Sequence, residues 1–511
     1  MGQIESTAPQ STSFFKSTNF KILIGIVLAL IILFGVQPQP GEAMGLEAGQ
    51  YLTAVGVRAL AVIVFTIWMW LAVNTTWSNL LFFALLIMTG TMTPGAVWSG
   101  SIGHFAPMLI IVFTIIGQCL AHTGAIDRIA IWFMTRKMVR GRPYVFMAMF
   151  FFSLLFMGMF MQNLALTILF LDLTIRVCDK IGIQKGHSLY TALMMGVVWG
   201  VGIISIASPI AKTLPNVLIG LLDVQLGITV TYAQWFMIGV PYTLLMFIFI
   251  MVCTRLNNPD VSPLKNLDID ELERNAPKMG LDGKIALAVM AVLVLFILLP
   301  DILVMFLTPG TAAHGFAAYF VRVSANVPAI LAVVALCVIT TKKDGKSVPV
   351  MDFNKCAAGV PIGMILFIGA AIVMGSPLGS PATGITPWLG GVLQPVLGGF
   401  GITTIIILLT LGALIMTNFV SNLVTMTLFF NVGVAVLAGT AANLGAFAVL
   451  MSFAATMATL TPSAAMTQPL FFGPGHITVA NSYKINLIFL AITFLVMILF
   501  LPLVGIIVPM P

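Results

Sequence analysis

Charge is what this chain has least of. Asp, Glu, Lys and Arg make up 8% of its 511 residues, where a soluble protein carries about 25%. Acidic residues stop altogether at Asp352. Any cation site beyond that point must therefore be built from neutral oxygens. Cysteine is scarce and scattered: Cys119, Cys178, Cys253, Cys337 and Cys356 stand apart, mostly inside apolar segments. Their spacing argues against a disulfide framework and a zinc site. His104, His122, His187, His314 and His476 lie near segment ends and are not spaced for a metal. The apolar segments hold no nucleophile–base pair, so nothing points to an enzyme.

What is present is hydrophobicity. Hydrophobic residues make up 60% of the chain and the mean hydropathy is +1.10. Many segments approach the roughly 20 apolar residues that cross a bilayer, which predicts an all-α polytopic membrane protein. The formal net charge of +7 does not imply a nucleic-acid partner. The basic residues are spread over short loops, as the positive-inside rule expects.

That rule sets a topology. Residues 1–19 read as a polar, disordered tail. Lys16 and Lys21 then precede the apolar run Ile22–Val36 with no small-residue cleavage site after it, which reads as a retained first span with a cytoplasmic N-terminus. Eleven spans are expected, near 20–36, 53–73, 76–97, 104–122, 188–222, 233–254, 285–307, 325–341, 357–376, 445–476 and 487–509. Two further segments, 143–178 and 401–440, have arms too short to span and polar middles, and read as re-entrant hairpins. Arg128, Arg136, Lys137, Arg140 and Arg142 then fall on the cytoplasmic side, and the outer loops hold few basic residues beyond Arg58 and Arg322. The hairpins enter from opposite sides, an inverted repeat.

Four polar breaks interrupt the apolar stretches. The hairpin tips are Gly158-Met-Phe-Met-Gln-Asn-Leu-Ala-Leu-Thr167 and Thr417-Asn-Phe-Val-Ser-Asn-Leu-Val-Thr425. About fifty residues after each comes a proline-bearing break, Ser205–Asn216 and Thr459–Pro469. Pro209, Pro215, Pro462 and Pro469 remove backbone donors and hold the breaks open. Broken backbone at membrane depth is tolerated only where protein buries it or a watery cavity meets it. Paired breaks in two halves predict the midplane site of a secondary transporter.

Several stretches carry a family resemblance. They are Gln37-Pro-Gln-Pro-Gly41 with Gly45-Leu46, Arg58-Ala-Leu-Ala61 and Trp68-Met-Trp70; Pro107-Met-Leu-Ile-Ile through Thr123-Gly124 and Asp127-Arg128; Pro361-Ile-Gly-Met-Ile-Leu-Phe-Ile-Gly369; and the two tips. With them the chain resembles the divalent-anion:sodium symporter family of the ion-transporter superfamily, from about residue 37 onward. The family's Ser-Asn-Thr tips appear as Gln162-Asn163-Leu164 and Ser421-Asn422-Leu423, and its Thr-Pro-Pro-Asn as Thr213-Leu-Pro-Asn216. The second-half counterpart is irregular, around Ala465-Met-Thr-Gln468 before Gly473-Pro-Gly475.

The resemblance implies an elevator-type carrier. A transport domain of hairpins and broken helices slides against a dimerising scaffold. The expected division is 20–122, 223–356 and 357–400 for scaffold helices and arms, 123–222 and 401–480 for the two transport segments, and 481–511 for the last span. The expected partners are sodium, a small organic anion, the lipid of a bacterial inner membrane and a second copy of the chain.

Gln162, Asn163, Lys212, Thr213, Asn216, Ser421, Asn422 and Thr461 are the candidate substrate ligands. Asn163, Ser208, Ser421, Asn422, Thr425 and Thr461 are the candidate sodium ligands. Amide and hydroxyl donors suit a carboxylate or sulfonate, half-helix N-termini favour anions, and unwound carbonyls suit sodium. The bland reading is that these are polar residues that glue membrane helices together.

Lys212 stands out. A lysine at membrane depth costs roughly 2.5–3.5 kcal/mol on insertion scales. It can pair with the substrate anion, replace one sodium as a tethered cation, or snorkel or pair with Asp172. Asp172 has its own neighbour in Arg176, one turn on. The expected function is sodium-driven import of a small organic anion, carboxylate first, with sulfonate or sulfate as options. The rivals are a sodium-independent exchanger or proton-coupled carrier using Lys212, and a passive channel.

Overall fold

The computed structural model describes residues 17–508 apart from 42–44, 48, 275–277, 344 and 398. Residues 1–16, where most of the expected disordered tail falls, lie outside the described residues.

The chain is helical throughout. The first group comprises α1 (Thr18–Gly35), α2 (Ala54–Ala72), α3 (Ser78–Met88), α4 (Pro94–Gly100), α5 (Phe105–His122) and α6 (Ala125–Met134). A hairpin of α7 (Pro143–Gly158) and α8 (Asn163–Lys180) follows, then the pair α9 (Ser188–Ala207) and α10 (Thr213–Leu226). The middle holds α11 (Tyr232–Leu256), α12 (Ile269–Arg274), α13 (Leu281–Phe306), α14 (Ala312–Arg322), α15 (Asn326–Val338), α16 (Phe353–Ala357), α17 (Ile362–Gly379) and α18 (Ile385–Leu397). A second hairpin, α19 (Ile402–Met416) and α20 (Asn422–Leu437), precedes α21 (Leu444–Thr456), α22 (Pro469–Phe472) and α23 (Val479–Ile507). The one sheet among the described residues is an antiparallel ribbon, β1 (Thr340–Lys343) with β2 (Lys346–Pro349), turning at Gly345.

Among the described residues, eight helices are long and apolar enough to span a membrane: α1, α2, α5, α9, α11, α13, α17 and α23. The count becomes nine if α14 and α15, bent by 72° at their junction, form one span. Eleven spans were expected, with broken ones included in that number. The segment 76–97 is no single span. It stops at Thr89 and Gly90, where Gly90 has φ +68, and restarts with Thr93 capping α4 and Pro94 in its first turn. Glycine after a helix and proline at the start of the next are ordinary stop and start signals. The segment 445–476, expected to be broken, is helical through Thr456 and again at Pro469–Phe472. Both expected segments form a pair of helices joined by a short break, at 159–162 and 417–421.

Helix α9 lies at the centre, with 94% of its apolar window buried, against 6% for α1 and 17% for α13. Small residues let its neighbours approach. A Cβ on Gly196 would lie 2.1 Å from the Phe151 ring of α7, and one on Gly200 would lie 2.6 Å from Leu154. On the next side, a Cβ on Gly239 of α11 would lie 2.2 Å from the Ile206 carbonyl, and Trp235 Nε1 donates to that same oxygen at 2.8 Å. A Cβ on Gly202 of α9 would lie 3.1 Å from Met457 and 3.4 Å from Thr456, at the end of α21. The second half repeats the ring-on-glycine packing: a Cβ on Gly433 of α20 would meet the Phe447 ring of α21 at 2.0 Å. Close approach through small residues is what membrane helices use when lipid supplies no hydrophobic drive. The result is that α9 carries one break at its own end and leans on the other.

Gly196→Val must displace Phe151. It should lower stability by about 1–3 kcal/mol as an overpacking change. Gly315→Ala, where a Cβ meets nothing within 4 Å, should not. Thermal melting of the two variants in detergent checks this, and equal melting would refute the packing account.

Candidate functional site

Each break is tied to its hairpin tip by side-chain hydrogen bonds. In the first half the central one of these side chains is Lys212. Helix α9 ends at Ala207 and α10 begins at Thr213, which leaves Ser208–Lys212 unwound. Ser208 Oγ accepts from the Ile210 N–H at 3.0 Å. Ala211 takes φ +56, a left-handed conformation costly for a residue with a Cβ. Lys212 is only 2% exposed. Its Nζ donates to the Met161 carbonyl at 2.7 Å and to Asn163 Oδ1 at 2.5 Å, both at the hairpin tip. Asn163 Nδ2 donates onward to Ser205 Oγ at 2.6 Å.

The unwound backbone is held from the other side by Asn216. Its Nδ2 donates to the carbonyls of Pro209 and Lys212, each at 2.6 Å, and its Oδ1 accepts from Tyr232 Oη at 2.5 Å. Tyr232 opens α11, whose first turn is capped by the Asp301 carboxylate of α13 through the Ala233 N–H at 3.3 Å. Thr213 Oγ1 donates to Met364 Sδ of α17 at 3.3 Å. Gln162, at the N-terminus of α8, has no side-chain hydrogen bond among the described residues and lines a cleft with Thr114, Gly117 and Gln118 of α5.

In the second half the tie is Asn418, and it is neutral. Its Nδ2 donates to the Met457 carbonyl at 3.2 Å, and its Oδ1 accepts the N–H groups of Thr459 and Leu460 at 3.0 and 2.8 Å. Thr461 Oγ1 donates to the Asn418 carbonyl. Thr417 Oγ1 donates to Asn422 Oδ1 at 3.2 Å and to the Ala455 carbonyl at 2.6 Å. The outer support is Asn486 of α23, fully buried. It donates to the Thr459 carbonyl at 2.7 Å and accepts from Thr459 Oγ1 and from Trp199 Nε1 of α9 at 2.9 and 3.0 Å. Gln468 Nε2 closes the break by donating to the Ala458 carbonyl at 2.9 Å.

The candidate residues are thus gathered at two tip–break joints. Asn163 and Lys212 touch directly, while Ser208, Thr213 and Asn216 surround them. Thr461 reaches the second tip through Asn418. Ser421 is exposed and Asn422 half-buried, and neither Ser421 Oγ nor Asn422 Nδ2 has a protein partner among the described residues. Thr425 Oγ1 is buried and also has no partner among them. Asp172 pairs with Arg176 at the surface, so Lys212 and Asp172 do not meet.

Residues 63–458 match the profile of the CitMHS family, described as citrate transporter. The chain belongs to this family. It is a secondary transporter and a multi-pass integral membrane protein, and the family is part of the ion-transporter superfamily that the motifs resembled. An uncharacterized transporter of Methanocaldococcus jannaschii is 24% identical over 275 residues, covering 53% of this chain and 54% of that protein. The chain therefore spans about half the length of that curated relative. Two solved structures share the fold. The YdaH transporter of Alcanivorax borkumensis has TM-score 0.56 at 11% identity, over 96% of this chain and 99% of its own. MtrF of Neisseria gonorrhoeae, titled as one of a class of antimetabolite efflux pumps, has TM-score 0.53 at 12% identity, over 96% and 95%.

For this citrate transporter family member, sequence reasoning missed Ser205, Tyr232, Thr417, Asn418, Thr459 and Asn486. Asn418 and Thr417 sat in the tip motif already singled out, and Asn418 was legible there as a second amide. Tyr232 and Asn486 had no local signal, because their partners lie on other elements. Tyr232→Phe should leave the buried Asn216 oxygen unpaired, at a cost of about 1–3 kcal/mol. The expected readout is a lowered melting temperature, and an unchanged one would remove Tyr232 from the break's support.

Proposed function

We propose that this chain is a secondary active importer of a small organic anion, with citrate the first substrate to test. A carboxylate is favoured, and a sulfonate or sulfate suits the same donors. The observation that carries this reading is the chemistry left over at the tips. After both breaks are closed, Gln162, Ser421 and Asn422 retain side-chain donors with no protein partner among the described residues. No carboxylate lies among the tip and break residues to repel an anion, and Lys212 adds positive charge. Donors of this kind at half-helix N-termini favour a carboxylate.

Sodium drives the uptake in this reading. Its ligands come from the second tip, where Thr425 Oγ1, Ser421, Asn422 and Thr461 supply neutral oxygens. The two hairpins and broken segments form inverted repeats and move as an elevator against a scaffold that dimerises. The N-terminus is cytoplasmic, in the inner membrane of a bacterium, as the distribution of basic loops suggests. A second reading is favoured by the burial of Lys212: a sodium-independent exchanger or proton-coupled carrier in which the lysine takes a sodium's place. Uptake would then persist without sodium but require internal substrate or a pH gradient.

Proteoliposomes loaded with the purified protein test the assignment. Labelled citrate should enter with radioactive sodium, and Asn422→Ala should weaken uptake roughly tenfold or more. That follows from about 1.5–3 kcal/mol for a hydrogen bond to a charged group. Undiminished sodium-coupled uptake in the variant would sink the role of Asn422. A di- and tricarboxylate panel with no uptake in the parent would sink the substrate class.

A further inference from the structure

We infer that the Lys212 ammonium is a fixed cation occupying an ion position at the first hairpin tip, so that this half of the carrier binds no mobile cation. The inference rests on the carrier reading above for its functional meaning, but its evidence is the local geometry. The acceptors of Lys212 Nζ are a backbone carbonyl, Met161, and an amide oxygen, Asn163 Oδ1. Neutral oxygens from a helix break are what a broken-helix site offers a sodium ion. Ser205 Oγ stands one hydrogen bond further on. Lys212 has no ion-pair partner among the described residues, since the ion pairs there involve Arg140, Arg176, Lys180, Arg274 and Lys343. A buried ammonium held only by neutral dipoles is uncommon, because a charge taken from water needs compensation. Here the dipoles are aimed at it as they are at a coordinated ion.

The backbone is shaped to put it there. Ala211 holds the left-handed turn that precedes Lys212. Asn216 then ties down the Lys212 carbonyl at 2.6 Å. A side chain that merely snorkelled would need neither. Direct pairing with the substrate also fits less well, because Lys212 is 2% exposed and its amine is already bound to the tip. The second half makes the contrast. Its tip–break tie is the amide of Asn418, and the buried Thr425 hydroxyl beside its tip has no partner among the described residues. One joint carries its own cation; the other carries neutral oxygens only.

Removing the lysine should therefore create a sodium site. The test measures radioactive sodium bound per chain at equilibrium, on purified protein, with no substrate present. Lys212→Ser and Lys212→Asn should each bind one sodium per chain more than the parent, and Lys212→Arg should match the parent. An unchanged stoichiometry in a monodisperse Lys212→Ser or Lys212→Asn protein overturns the inference. If both neutral variants are unstable without sodium, added sodium, but not choline, should raise their melting temperature and leave the parent's unmoved. Failure of sodium to do so also overturns it. The binding assay does not depend on which anion is carried, so a failed transport experiment leaves this result readable.

Discussion

Backbone left unwound inside an apolar bundle must find its hydrogen bonds within the protein, because no lipid can supply them. That constraint shapes both joints. Around Ser208–Lys212 the exposed carbonyls are taken by Asn216, and Asn216 is held in turn by Tyr232. Around Met457–Gln468 the same duty falls to Asn418, Asn486 and Gln468. Asn216 reaches its break from α10, Asn418 from the hairpin tip and Asn486 from α23, while Gln468 closes its break from the far end. The breaks are consequently stiff parts of the structure, held from two sides. The central position of α9 follows from the same need: it is packed on small residues so that α7, α11, α21 and α23 can all approach the two breaks.

The two joints solve one problem with different chemistry. A lysine clasps the first tip and an asparagine clasps the second. A clasp that carries a charge changes the electrostatic balance of whatever binds nearby, while a neutral clasp leaves that balance to ligands. In the proposed carrier, an anion between the tips would meet a fixed positive charge from one half and uncommitted amide and hydroxyl donors from the other. The absence of acidic residues beyond Asp352 keeps the second side free of competing negative charge.

Much of this arrangement was legible from residues alone. Long apolar runs located the eight spanning helices, and prolines beside small polar residues located the breaks. The polar middles of the two short-armed segments located the hairpin tips. Lys212 was conspicuous because a lysine among apolar residues has few bland explanations. The split between α3 and α4 carried a readable signal in Gly90 and Thr93-Pro94, which the apolar count over 76–97 masked. Tyr232 and Asn486 were not legible. Tyr232 lies 16 positions from its partner and Asn486 lies 27 from Thr459 and 287 from Trp199. Those pairings exist only once the helices have packed, and no local pattern encodes them.

The central proposal is that the free donors of the two hairpin tips bind the anion. A structure of the protein determined with bound citrate, or with whichever carboxylate proteoliposome uptake selects, addresses it most directly. The account predicts density for the anion within hydrogen-bond distance of Ser421 and Asn422 on one side and of the Gln162 tip on the other, with Lys212 still bound to Asn163 and Met161. Anion density away from both tips, or a continuous water-filled pore through the bundle, would contradict it.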